Sequence, residues 1–145
     1  MANSKSDVSA KQAYIEYLLK KGYKKATVTA SPADITAEKD GNTYYFEIKK
    51  TSQKEVYFGA ATLTEWFEAV ENETNYMFVI AKEIAENEFE FIEYTPEQFL
   101  QYSYIPPFKV YFNIDFTNEN KKKKHPLTRE QVKLMKEFYE KISKK

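Results

Sequence analysis

The chain alternates between stretches of helical and strand periodicity, and the order of these stretches carries most of the fold information. Residues 8–21 keep apolar positions three and four apart (Ala13, Tyr14, Tyr17, Leu18), which predicts an amphipathic helix. Ser9 and Gln12 have capping-box spacing, and Gly22 stands where the chain would leave the helix. Residues 26–30 and 33–38 are strand-like, Lys39-Asp40-Gly41-Asn42 is a turn, and Thr43–Lys50 is a β run rich in Tyr, Phe and Ile. A short extended piece at 56–58 leads to a second helix at about 63–72. Thr62 and Glu65 cap it, and Leu63, Trp66, Phe67 and Val70 form its apolar stripe. Tyr76–Ala81 is continuously apolar, as expected of a strand covered on both faces, and Phe89–Tyr94 alternates as its edge partner. Pro96–Tyr102 predicts a short helix with proline in its first turn, and Lys109–Ile114 a last strand after Pro106-Pro107. Thr128 and Gln131 open a basic amphipathic helix whose stripe is Val132, Met135, Phe138, Tyr139 and Ile142. This order of elements implies an α/β fold, a mixed sheet flanked by helices.

At 145 residues the chain is expected to be one domain, with its core at about 8–115 and a basic loop and helix at 118–145. It has no cysteine and a single histidine, His125. Disulfide frameworks, thiolate metal sites and multi-histidine zinc sites are therefore excluded. No apolar run is long enough to span a membrane, and the N-terminus lacks a secretory core, so a soluble cytoplasmic protein is expected. With 22 basic and 22 acidic side chains the formal charge is zero, which at first counts against nucleic acid as a partner. The zero is an average of unlike segments. Residues 1–50 hold 9 Lys and 6 acids, residues 51–100 hold 2 Lys and 11 acids, and residues 101–145 hold 10 Lys, Arg129 and 5 acids. A basic start, an acidic middle and a basic end say little about any one face.

The stretch from Pro32 to Lys49 carries the candidate chemistry. If Asp40-Gly41 are the two central residues of a hairpin turn, Asp34 lies directly opposite Glu47. Period-2 alternation then puts Asp34, Glu47 and Lys49 on one face and Ile35, Phe46 and Ile48 on the other. Opposed residues have Cβ atoms about 4.5–5.5 Å apart. Two carboxylates that close repel unless one is protonated or a cation lies between them. Hard oxygen donors of this kind suit Mg²⁺ or Mn²⁺. Lys49 beside them completes a set suited to phosphodiester hydrolysis: a metal to activate water and an ammonium to stabilise charge.

Pro32-Ala33-Asp34, twelve intervening residues and then Glu47-Ile48-Lys49, within an α-β-β-β-α order, resemble the PD-(D/E)xK nuclease superfamily. The resemblance covers roughly residues 8–82 and is closest over 31–51. It implies a restriction-endonuclease-like mixed sheet and Mg²⁺-dependent (or Mn²⁺-dependent) cleavage of DNA. By that resemblance Asp34 and Glu47 would bind the metal, with the Ile48 carbonyl as a further ligand. Lys49 would be the catalytic lysine, and Glu16 of the first helix would join the site. Ala33, between Pro32 and Asp34, departs from the usual motif. More narrowly, Tyr45–Thr51, Leu63-Thr64-Glu65-Trp66 and Asn75-Tyr76-Met77-Phe78-Val79 look like the NO VEIN C-terminal-type branch.

The expected function is thus a DNA endonuclease of a restriction, repair or mobile-element system. Symmetric cleavage of duplex DNA would require a homodimer or a separate specificity subunit. The alternative is a catalytically inactive module that keeps the fold and binds nucleic acid or protein. Lys121–Lys124 suits either phosphate contact or a solvated loop, and the C-terminal helix with Lys20, Lys21, Lys24 and Lys25 would border a DNA cleft. His125 before Pro126 reads as a loop residue, Trp66 as core, and Thr51–Lys54 as a polar connector. Glu65, Glu68, Glu71 and Glu73 read as the exposed acidic face of their helix.

Overall fold

The computed structural model describes residues 5–118 and 122–143. The chain divides into two compact units, Met1–Tyr102 and Ser103–Lys145. The first contains α1 (Lys5–Lys20), β1 (Lys24–Val28), β2 (Ile35–Lys39), β3 (Asn42–Thr51), α2 (Leu63–Glu71), β4 (Tyr76–Ala85), β5 (Glu88–Tyr94) and α3 (Pro96–Leu100). Its five strands lie in sequence order in one sheet. The β1–β2, β2–β3 and β4–β5 pairs are antiparallel, whereas β3–β4 is parallel and crosses over through α2. A parallel pair needs such a crossover, and it leaves α2 packed on the sheet. The result is the expected mixed sheet flanked by helices.

The β2–β3 hairpin has the register anticipated from its turn. Lys39 pairs with Asn42, Thr36 with Tyr45 and Ile35 with Phe46. Asp40 and Gly41 both adopt positive φ (51° and 81°), the handedness a two-residue turn needs to match strand twist. Alternation then sorts side chains between two apolar layers. Tyr14 and Leu18 of α1 pack with Ile35, Ala37, Phe46 and Val79 on one face. On the other face Ala33, Ala69, Tyr76 and Phe78 form a second cluster with Trp66 and Phe99, which belong to α2 and α3. Aromatic rings knit both layers: Tyr14 meets Phe46 and Phe91 edge-on, while Phe78 stacks on Phe99 at 4.4 Å. The Tyr14 hydroxyl donates to Glu93, and burial followed by that bond raises its pKa, so it stays a donor.

Three expectations are revised. α1 begins at Lys5, so Ser9 lies inside the helix; its hydroxyl donates to Asn87 instead of capping. The stripe assigned to α2 splits. Trp66 and Ala69 face the sheet, whereas Leu63 (88% exposed), Phe67 and Val70 face outward. Those three recur at i, i+4 and i+7 and so share one stripe, with Trp66 and Ala69 to one side of it. The Thr62–Glu65 capping box forms as expected. The strand expected at Lys109–Ile114 is absent: the segment is irregular and its residues are exposed. Alternation prepares a segment for pairing, but without a partner strand no ladder forms.

Among the described residues of the second unit the regular element is α4 (Arg129–Ser143), opened by the reciprocal Thr128–Gln131 bonds. Its expected stripe is in place, with Phe138 and Tyr139 against Phe108, yet none of its residues is buried. Lys121 of the lysine run lies outside the described residues, and Lys122–Lys124 are exposed. Among the described residues no helix is long and apolar enough to cross a membrane.

Phe46 belongs to the α1 layer and Phe58 is 80% exposed, which sets up a contrast. Phe46→Ala is expected to cost about 3–5 kcal/mol and Phe58→Ala under about 0.5 kcal/mol, measured by urea unfolding monitored by circular dichroism.

Candidate active site

Asp34 precedes β2, where the chain enters from a segment containing the cis Ser31-Pro32 peptide. Its carbonyl accepts the Thr29 amide at 2.9 Å, and Thr29 Oγ1 donates to the Ala33 carbonyl at 2.7 Å, so the entry to the strand is pinned on both sides. Thus held, the Asp34 side chain accepts the Ile48 amide at 2.9 Å. Lys11 Nζ of α1 stands 3.5 Å from its other oxygen.

Glu47 continues from the Ile35–Phe46 pair on the α2 side of the sheet, next to Phe78 of β4. It is only 6% exposed. Lys49, two residues on, donates from Nζ to Glu65 Oε1 at 2.7 Å and lies 3.9 Å from Glu47 Oε2. The same Glu65 oxygen accepts the Thr62 amide at 3.0 Å. The capping box therefore does two jobs. It starts α2, and it holds the Glu65 carboxylate against Lys49. That bond, with Trp66 and Ala69 seated on the sheet, orients the helix so that Leu63, Phe67 and Val70 face out.

The electrostatics follow from burial. The Glu47 carboxyl is pushed up to about 8, first by desolvation, then by the Asp34 charge and by Glu65; Lys49 opposes the rise. Glu65 moves the other way. Burial works against its charge, but hydrogen bonds from Lys49, the Thr62 amide and Glu47 outweigh it and lower its pKa. The opposite shifts leave the proton of this pair on Glu47 below about pH 8. Beneath them, the Tyr76 hydroxyl is buried without a hydrogen-bond partner, and burial and then the Glu47, Glu65 and Asp34 charges raise its pKa.

Sequence reasoning anticipated Asp34, Glu47, Ile48 and Lys49, and the structure brings them to one place, with Asp34, Ile48 and Lys49 lining a pocket of about 220 Å³. Glu16 is not brought there. It is exposed on α1, turned away from the Tyr14–Leu18 stripe because it lies two residues from each on a 3.6-residue helix. Lys11 is the α1 side chain that reaches Asp34. Glu65, expected on the exposed acidic face of α2, instead bonds Lys49; its capping-box spacing places the carboxylate back at the N-cap without indicating that contact. No pattern distinguished Lys11 or Tyr76.

Among the described residues no group of three or more histidine, aspartate or glutamate side chains is arranged to hold a metal. Among the described residues a fully protein-built cage is therefore not present. Two carboxylates suit Mg²⁺, which keeps several waters and commonly takes one or two carboxylates with substrate phosphates. Two features fit it: a buried acid forced to retain a proton beside other acids, and a buried hydroxyl without a partner.

A five-stranded mixed sheet with helices on both faces and a carboxylate–lysine cluster where β2 meets β3 defines the class: an α/β domain with a polar site at the sheet end. The chain belongs to the family described as Protein NO VEIN, C-terminal, which matches residues 7–99. Neither a curated protein nor a solved structure matches it. The matched span coincides with the first unit and includes every site residue named above.

The raised pKa of Glu47 has a defined sign. Between the unfolded value near 4.5 and the folded value near 8 the native state binds more protons, so stability falls as pH rises through that window and levels off above it. In EDTA, Glu47→Gln is expected to flatten this decline and to stabilise the protein by about 1–3 kcal/mol at pH 8, read from urea unfolding at pH 5, 6.5 and 8. A wild-type profile that rises across the window would contradict the assignment.

Proposed function

We propose that this domain is a metal-dependent nuclease of the PD-(D/E)xK class that hydrolyses phosphodiester bonds in DNA. The observation that supports the reading best is the convergence of Asp34, buried Glu47 and Lys49, whose ammonium is oriented by Glu65. Asp34 and Glu47 would hold Mg²⁺ or Mn²⁺, with the Ile48 carbonyl alongside. Such an ion supplies Lewis acidity and a water of lowered pKa. The protein's own part is positional and electrostatic. Glu65 takes one hydrogen bond from Lys49 and so limits the rotamers of a long side chain. Lys49, only partly exposed, lines the pocket, where charge develops on a phosphate undergoing attack. Glu47 must shed its proton to act as a ligand, so metal affinity is coupled to pH.

Supercoiled plasmid and single-stranded DNA, incubated with the protein in Mg²⁺ or Mn²⁺ at pH 8, test the reading. Cleavage should appear, disappear in EDTA, and fall at least about 10³-fold in Lys49→Ala. Glu65→Gln should retain DNA binding and lose about 10–100-fold in kcat, because the lysine loses its positioning partner. Absence of cleavage in both metals, or full activity in Lys49→Ala, would instead support a fold retained without catalysis.

Mg²⁺ affinity measured calorimetrically should rise between pH 6 and pH 9, with proton release detectable in buffers of different ionisation enthalpy. A pH-independent affinity would remove Glu47 from the ligand set.

A further inference from the structure

Lys11 stands apart from the rest of the α1 surface. The helix's inward stripe is Ala10, Tyr14 and Leu18, all fully buried, and Lys11 lies on that same side, three residues before Tyr14 and seven before Leu18. Its side chain is 13% exposed, so an ammonium is held largely out of water, where it costs free energy unless a negative group answers it. The group that answers it is Asp34, at 3.5 Å. That is longer than the roughly 2.7–2.9 Å of a close charge-assisted hydrogen bond.

The pocket beside this pair has a volume of about 220 Å³. That is enough space for a tetrahedral phosphate with some of its hydration. Lys11, Lys49 and Lys50 all line it, together with Asp34, Ile48 and Tyr57. Three lysines and a single aspartate in the lining favour an anion. Two of the lysines are answered by acids outside the pocket, Lys49 by Glu65 at 2.7 Å and Lys50 by Glu83 at 3.5 Å. Lys11 is answered by Asp34, the residue that a divalent cation would claim.

We propose that Lys11 is a phosphate-holding residue of this site: it neutralises Asp34 until a cation takes that carboxylate, then pairs with a non-bridging oxygen of the nucleic-acid backbone. The inference rests on the nuclease reading and deepens it by assigning a second lysine, from α1, to the substrate. The exchange is electrostatically consistent. A cation on Asp34 removes the partner of Lys11 and repels its ammonium, and an incoming phosphodiester supplies the replacement charge in the same pocket. No bond is made or broken by Lys11, which positions substrate through its charge.

Binding of the full chain to fluorescein-labelled single-stranded and duplex oligonucleotides, in Ca²⁺ in place of Mg²⁺, is the test, titrated at several salt concentrations. Lys11→Met should bind about tenfold more weakly. The slope of log affinity against log salt should shrink by about 0.7–0.9, the loss of one phosphate contact. Lys11→Arg should recover most of both. Without DNA, Lys11→Met should bind Mg²⁺ at least as tightly as wild type by calorimetry, since the competitor for Asp34 is gone. Should Lys11→Met fail to fold by circular dichroism, Lys11→Gln carries the same comparison. Wild-type affinity and slope in a folded Lys11→Met, or no recovery by Lys11→Arg, would overturn the proposal while leaving the nuclease reading intact. Wild-type protein that neither binds nor cleaves DNA would overturn both.

Discussion

A carboxylate placed where water scarcely reaches it is the constraint around which the first unit is built. Glu47 sits in the middle of β3 on the face covered by α2, with Asp34 and Glu65 close enough to raise its pKa further. An arrangement optimised for stability alone would put an apolar side chain there. The fold instead retains Glu47 and surrounds it with compensations. Lys49 stands 3.9 Å away, Glu65 accepts from both Lys49 and the Thr62 amide, and the Ile48 amide fixes Asp34. Such stored electrostatic strain is characteristic of sites that operate on charged ligands.

Holding this cluster requires rigid surroundings, and the aromatic side chains provide them. On one face Tyr14, Phe46 and Phe91 lock α1 to the sheet; on the other Trp66, Tyr76, Phe78 and Phe99 seat α2 and α3. The two layers meet at β2 and β3, whose alternating side chains feed both. Docking α1 brings Lys11 to Asp34, and docking α2 brings Glu65 to Lys49. Aromatic packing and polar chemistry are therefore coupled: a shift of either helix would change which charge faces which.

Local chemistry made much of this legible beforehand. Asp40-Gly41 specified the turn and so the register, and register with a period of two placed Asp34 and Glu47 together. The capping boxes at Thr62 and Thr128 were visible as spacings because their bonds are made within four residues. Tyr76–Ala81 read as doubly covered, and both faces of β4 are covered. Illegible were the contacts made across large sequence separations. Glu65 meets Lys49 from sixteen residues away, and Lys11 meets Asp34 from another layer. Periodicity ranked all of α2's apolar residues alike, but it could not say which part of their arc would face the sheet.

What the sequence by itself determined is the chemistry available and the local geometry. Without cysteine and with one histidine, carboxylates and lysines were the reactive groups on hand, and the β2–β3 turn aligned two of the acids. Only the tertiary structure decided which of many acids and lysines share a dielectric environment. Glu16 and Glu65 look equivalent as helical glutamates, yet one is solvated and the other is bonded to Lys49. The physical reason is that hydrogen bonds and turns act over a few residues along the chain. Desolvation and charge–charge coupling act through space, and are set only once helices have docked on the sheet.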